Sequence, residues 1–286
     1  MRPDPGPATV AVVTDSTAYL PPEVARSAGV TVVPLAVVVD GVPGREGVDV
    51  MPDQVARALA ARRGTVTTSR PAPADFLAAY RRLLDGGAAG VVSVHLSARL
   101  SGTFESARIA AAELDGGVAV VDSGTIGMGL GFAALAGCGH GDLATAQAAV
   151  TAAARRGTVL FYVDTLEHLR RGGRIGAASA LVGTALSVKP ILHVAGGEIV
   201  VRDRVRTAGR ALARLVDLAV EAAGESTVDI AVHHLAAPAR ADELAGLLAG
   251  RLGDRLGTRY QSQVGAAVGA HVGPGMLSAI VQRRAG

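Results

Sequence analysis

Hydroxyl side chains recur in short turns along this sequence: Asp15-Ser16-Thr17, Thr67-Thr68-Ser69-Arg70-Pro71, His95-Leu96-Ser97, Leu100-Ser101-Gly102-Thr103 and Asp122-Ser123-Gly124. Ser and Thr hydroxyls beside the free N–H groups of a helix start make an anion site, because both offer donors and the helix dipole favours negative charge there. The same residues also act as ordinary N-caps and turn formers. His271, just ahead of Gly273-Pro274-Gly275, adds an imidazole to the set.

Other chemistries can be drawn from these residues. Asp15, Ser101, His271 and Asp122 suggest a hydrolase triad, and an acyl-ester or small-carboxylate hydrolase using Ser101 and His271 is the alternative reading. The surrounding residues Arg99-Leu100-Ser101-Gly102-Thr103 lack the G-x-S-x-G elbow, however. Gly127-Met128-Gly129-Leu130-Gly131-Phe132 follows a strand, but its glycines do not fit the dinucleotide spacing and no acid stands suitably downstream. Close backbone packing, or room for a ligand chain, accounts for them better. His233 and His234 are adjacent on a strand, so they point to opposite faces and cannot share one ion. Arg170, Arg171 and Arg174 read as a solvated helix end closed by Gly172-Gly173. No metal and no cofactor is expected.

The elements that position these groups follow from hydropathy patterning. Continuous apolar runs at 9–14, 31–39, 91–95 and 118–122 read as buried strands. Helices are expected over 21–28, 53–62, 73–84 and 103–114. In the third of these, Phe76, Leu77, Tyr80, Leu83 and Leu84 share one face. Strands alternating with helices indicate a parallel, Rossmann-like sheet covered on both faces. Its ligands would sit outside the carboxyl ends of the strands, where the hydroxyl turns fall. Beyond residue 156 the pattern changes. Strands at 159–163, 191–194, 198–201 and 229–233 are mixed with helices at 208–223 and 239–252, ahead of segments at 258–268 and 271–281. The Gly196-Gly197 pair marks a hairpin. The reading is therefore an α/β domain at 1–155 and an α+β domain with a mixed or antiparallel sheet at 156–286.

Composition narrows the function classes. The 286 residues carry a net charge of +3, with 28 basic and 25 acidic groups, which gives no footprint for nucleic acid. Cys138 is the single cysteine, so neither an internal disulfide nor a Cys-based zinc site can form. No apolar run is long enough to cross a membrane, and the start lacks a signal core. A cytoplasmic protein is expected, one for which transient membrane contact stays open. Aromatics make up 3% of residues, so Ala, Val, Leu and Gly must fill the interior.

The segments VVTDSTAYLP, TTSRPAPADF, HLSARLSGTFESA, VAVVDSGTIGMGLG, VDTLEHLRRGGRI and HVGPGML, in this order, resemble the DegV family from about residue 9 to 281. The resemblance implies a two-domain carrier that holds a long-chain fatty acid in a tunnel between its domains, without catalysis of its own. It also implies a partner, a separate fatty-acid kinase to which the carboxyl group is presented. Carried over, Thr68 and Ser101 would donate to the carboxylate, with Ser69, Gly102 and Thr103 beside them and His271 near the head group. Arg174 and Arg206 match basic positions that resemble kinase-docking or phosphate-facing sites. The sequence departs from the family pattern at Arg70, Ala72 and Tyr19. Arg70 could add a cation beside the head group or face solvent.

Overall fold

The computed structural model describes residues 8–61, 64–176, 178 and 189–285. The first strand, β1 (Val10–Asp15), leads through a short 3-10 turn at Ser16–Ala18 to α1 (Pro22–Ser27) and β2 (Val30–Val33). The sequence reading runs one strand across 31–39, and the structure breaks it at Pro34. Proline has no N–H to give a ladder. The chain therefore leaves the first sheet, and β3 (Ala36–Val39) begins a second one. A two-residue turn, Asp40-Gly41, has positive φ at both positions and returns the chain as β4 (Val42–Arg45). This is the turn geometry that matches strand twist.

After α2 (Pro52–Ala60), β5 (Val66–Ser69) completes that antiparallel sheet in the order β4-β3-β5. Residue 62, where the sequence reading ends this helix, lies outside the described residues. The hydroxyl run at 67–69, read from sequence as a turn, is thus strand; only Arg70–Ala72 turn, into α3 (Pro73–Asp85). There follow β6 (Gly90–His95), α4 (Thr103–Ala112) and β7 (Val118–Asp122). Strands β2-β1-β6-β7 form the expected parallel sheet. Alternation does the sorting. Val13 and Val91 face Phe76, Tyr80, Ala107 and Ala110 on one side, and Val12, Val92 and Val94 face the other.

That other side is covered by two helices the sequence reading leaves unassigned, α5 (Met128–Ala136) and α6 (Leu143–Arg156). Helix α5 is buried almost all round because it lies between two sheets. A Cβ at Gly129 would come within 2.6 Å of Thr125 Oγ1, and one at Gly131 within 2.9 Å of the Ala18 carbonyl oxygen. These glycines serve close packing.

The second large sheet is built from β8 (Gly157–Tyr162), β9 (Lys189–Ala195), β10 (Glu198–Val205), β11 (Val228–His234), β12 (Leu256–Gln263) and β13 (Leu277–Arg283), in the order β10-β9-β8-β13-β11-β12. All its pairs are antiparallel except β11 with β12. The β9–β10 hairpin turns at Gly196-Gly197, both at positive φ, as expected. Helices α8 (Ala208–Ala223) and α9 (Pro238–Leu252) cover one face with leucines, while Val159, Ala231 and Ile280 meet Met128 and Phe132 of α5 on the other. Two short helices complete the chain: α7 (Glu167–Arg171) and α10 (Ala266–Val272). The segments read as 258–268 and 271–281 are each redivided. The first is a strand, a break at Val264-Gly265 and the start of α10. The second is the end of α10, a glycine turn and β13, which sits centrally in the sheet. Among the described residues no helix is long and apolar enough to cross a membrane.

Candidate functional site

A cavity of about 580 Å³ opens beside the carboxyl ends of β1, β6 and β7. Thr17, Leu96, Leu100, Ser101 and Ile126 reach it from the loops that follow those strands. Thr68, Ser69 and Arg70 come from the end of β5, and Ala267, Val268, His271 and Val272 from α10. Leu169 of α7, Arg174 just after it, and Ile199 of β10 close the remaining sides.

Thr68 Oγ1 lies 3.0 Å from His271 Nε2. His271 Nδ1 is buried and has no partner among the described residues. Burial, reinforced by the nearby Arg174 cation, lowers the imidazole pKa to about 4, so it is neutral at ordinary pH. Gly172 makes room for it, since a Cβ there would lie 2.0 Å from Nδ1. Ser101 Oγ stands 2.9 Å from Thr103 Oγ1 and accepts from the Thr103 N–H at 3.3 Å, an ST-type arrangement at the start of α4. Thr103 itself is buried and does not line the cavity. Gly102 is the N-cap of α4, and the Arg70 side chain lies across it; a Cβ at Gly102 would meet Arg70 Nη1 at 2.4 Å. Arg70 thus borders the mouth and faces solvent at once. Arg174 is held by its own contacts, donating from Nε to Leu100 O at 3.1 Å and from Nη1 to Gly172 O at 2.7 Å. Arg206 follows β10, is exposed, and lines no part of this cavity.

The residues drawn as a triad do not assemble. Ser101 pairs with Thr103, His271 with Thr68, and Asp122 accepts from the N–H groups of Ala98 and Gly124. Asp15 instead belongs to a fully buried cluster. It accepts from Thr17 N–H, Thr17 Oγ1 and Leu96 N–H, and faces His95 Nδ1 at 3.1 Å. His95 Nε2 lies 2.7 Å from Ser93 Oγ, which accepts from Tyr80 Oη at 2.8 Å. This cluster ties the carboxyl end of β1 to that of β6. His233 and His234 do point apart: the first accepts from Met128 N–H, the second from Ala237 N–H.

A second cavity, about 420 Å³ and almost wholly apolar, adjoins the first. Ile126, Ile199, Val268 and Val272 line both. Val159, Phe161, Val194, Val264, Met276 and Ile280 carry it inward between the two large sheets. Sequence reasoning missed this inner lining, because its members come from several segments far apart in the chain. It also missed Glu46, a buried carboxyl group that accepts from Ser16 Oγ, from Ala267 N–H at the start of α10 (2.7 Å), and from Tyr19 Oη (3.4 Å). Burial raises its pKa to about 7 against the lowering effect of those donors.

The comparisons with known proteins agree with this architecture. The family model described as "Uncharacterised protein, DegV family" matches residues 9–284. A DegV domain-containing protein of Streptomyces coelicolor is 53% identical over 240 residues, covering 82% of this chain and 85% of the relative. One of Mycobacterium tuberculosis is 43% identical over 242 residues, covering 83% and 84%. Among solved structures, a fatty-acid-binding DegV family protein of Thermus thermophilus superposes with a TM-score of 0.90 at 31% identity, covering 96% of this chain and 100% of that one. DegV of Bacillus subtilis, described as a fatty acid binding protein, gives 0.88 at 31%, covering 97% and 100%. With its parallel and mixed sheets, its ordered motifs and these relatives, the chain belongs to the DegV family.

Proposed function

We propose that this chain binds a long-chain fatty acid, with the carboxylate at the hydroxyl-lined mouth and the acyl chain in the apolar cavity behind it. The observation that carries the reading is the adjacency of the two cavities, which share four lining residues. One offers Thr68, Ser101 and Arg70, the other offers mainly apolar groups, Phe161 and Met276 among them, with His233, Tyr19 and Ser278 as its polar members. Neutral His271 donating from Nε2–H to Thr68 Oγ1 would free the Thr68 hydroxyl to donate to a carboxylate. A hydrogen bond to a charged group contributes about 1.5–3 kcal/mol. Most of the affinity then comes from the chain, at roughly 0.8 kcal/mol per buried methylene.

The finer reading is that the chain, divided near residue 156 with the cavity between its parts, presents the carboxyl group to a separate fatty-acid kinase. The kinase would supply ATP, metal and the transfer chemistry. Exposure of Arg174 beside the mouth supports a docking role there. Arg206 is proposed for the same partner at a second point of contact. No observation favours Ser101 and His271 as a hydrolase pair, because each hydroxyl and imidazole is engaged elsewhere.

The test is mass spectrometry of small molecules released from the purified protein. A stoichiometric long-chain fatty acid is the expected result. A protein that comes out empty and takes up neither added oleate nor palmitate removes the reading.

A further inference from the structure

Tyr19 stands where the inner cavity meets a third space. This is a solvent-open groove of about 1040 Å³ on the far side of the 3-10 turn, lined by Leu20, Pro21, Val32, Pro34, Val48 and neighbouring residues. Val32 and Val48 are 39% and 53% exposed there, so the groove is uncovered, and it is mainly apolar although Ser16, Glu46 and Gln263 also border it. Among the described residues, Tyr19 is the one residue common to the linings of the inner cavity and the groove. Its ring spans the wall between them. It meets His233 of the inner cavity edge-on, with centroids 5.6 Å apart. Its opposite contacts belong to the groove: a Cβ at Gly265 would come within 2.7 Å of Tyr19 Cε1, and its hydroxyl donates to Glu46.

The ring is held in place. The Tyr19 hydroxyl also accepts from Val268 N–H at 3.3 Å, which ties it to the α10 residue that lines both parts of the acyl cavity. The backbone at Tyr19 is in the left-handed region, with φ 48°, a conformation that costs a tyrosine energy and that glycine or asparagine adopts readily. A bulky residue kept there, hydrogen-bonded at its tip to a buried carboxyl group, is placed as a wall.

We propose that Tyr19 ends the acyl cavity and thereby sets the longest chain this protein accepts, the groove beyond it being an apolar compartment that a distal acyl segment enters once the ring is removed. This rests on the acyl-binding reading above. The terminal methyl of a chain of the limiting length abuts the Tyr19–His233 pair. Each further methylene has nowhere to go while the ring stays, and finds aliphatic and proline surface when it is gone.

The test is a binding series with saturated fatty acids from dodecanoic to docosanoic acid, on the full-length protein stripped of endogenous lipid. Wild type is expected to gain affinity with length up to a limit and then to lose it. Tyr19→Gly should extend the limit, with affinity rising about fourfold for each added methylene past the wild-type cut-off. Tyr19→Phe keeps the ring and loses the hydroxyl, and should keep the wild-type limit. Tyr19→Asn, which also suits the left-handed backbone, carries the test should the glycine variant fail to fold. An unchanged limit in a folded Gly or Asn variant, or a shifted limit in the Phe variant, overturns the proposal. Failure of wild type to bind any member of the series removes the acyl-binding reading itself, and this proposal with it.

Discussion

Two hydroxyl–imidazole clusters sit near the same edge of the parallel sheet, and they differ in one respect. The cluster of Asp15, His95, Ser93, Thr17 and Tyr80 is wholly buried, and its polar groups find their partners within the cluster or the adjoining backbone. The cluster of Thr68, His271, Ser101 and Thr103 borders an open cavity, and His271 Nδ1 is left without a partner among the described residues. The first has the residue types of a Ser–His–Asp triad, but His95, Ser93 and Tyr80 are sealed from every cavity described and the carboxylate is spent on internal partners. The second has access and unspent hydrogen-bonding capacity. Chemical type alone does not mark a site; unsatisfied groups facing a cavity do.

The largest effect should come from breaking the buried cluster. Asp15→Ala strands donors on Thr17, Leu96 and His95, and should cost about 3–5 kcal/mol of folding stability. Urea unfolding measures it, and a loss below about 1 kcal/mol would show the cluster is not structural. The open cluster should respond in the opposite currency. Thr68→Ala combined with Ser101→Ala should leave stability within about 1 kcal/mol of wild type, and reduce fatty-acid affinity on the order of 10- to 100-fold per lost hydrogen bond. Unchanged retention of ligand by the folded double variant sinks the head-group assignment.

Acid acts on His271 of the open cluster and on two further buried groups, His233 and Glu46. His271 and His233 are both held by burial at pKa values of about 4, so the unfolded chain takes up protons near pH 6.5 that the folded chain refuses until about 4. Stability from both is therefore lost as pH falls across that window. Glu46 acts with the opposite sign. Its folded pKa of about 7 means that the folded state binds the proton first, and stability is gained as pH falls from about 7 to 4.5. Between about pH 6.5 and 4.5 these groups leave a net slope of about 1.4 kcal/mol per pH unit, and Glu46→Gln should roughly double it. Equal slopes in urea-midpoint titrations of the two proteins would contradict the role given to Glu46.

Smaller again is Gly172→Ala. The backbone there is helical and tolerates alanine, but the new methyl collides with His271 Nδ1. Displacing the imidazole from Thr68 should weaken fatty-acid binding by about tenfold, the size of one modest hydrogen bond, with stability little changed; isothermal titration reads the affinity and urea unfolding the stability. Arg206→Ala should change affinity least. An exposed side chain outside the cavity is expected to leave the dissociation constant within about twofold of wild type, whatever it does to a kinase partner. A larger loss would mean that the ligand reaches beyond the two cavities.

Much of the fold was legible because its signals are local. The Val-rich strands at 10–15, 90–95 and 118–122 are apolar on both faces, as strands inside a doubly covered sheet must be. Helix α8 matched its expected bounds, since its leucines keep one face over four turns. Asp40-Gly41 between valines is a hairpin signal for β3 and β4, and Pro34 is the signal that separates β3 from β2. Helix α5 carried no usable pattern. A helix packed between two sheets is apolar all round, so it shows no amphipathic period.

Thr68, Ser101 and His271 could be named from the sequence because they stand in motifs that resemble the family's, although Thr68 lies in a strand and His271 in a helix. The types and order of those motifs determined the family, and hydropathy the sheet classes; the polar end of the site is a proposal built on them. Only the tertiary structure decided that Asp15 pairs with His95 and not His271, that Thr68 meets an imidazole 203 residues away, and that Tyr19 stands between two apolar spaces. The reason is range. Local hydrogen bonds and hydropathy periods act over a few residues, whereas a cavity is the space left where distant segments pack, and no single segment encodes its shape.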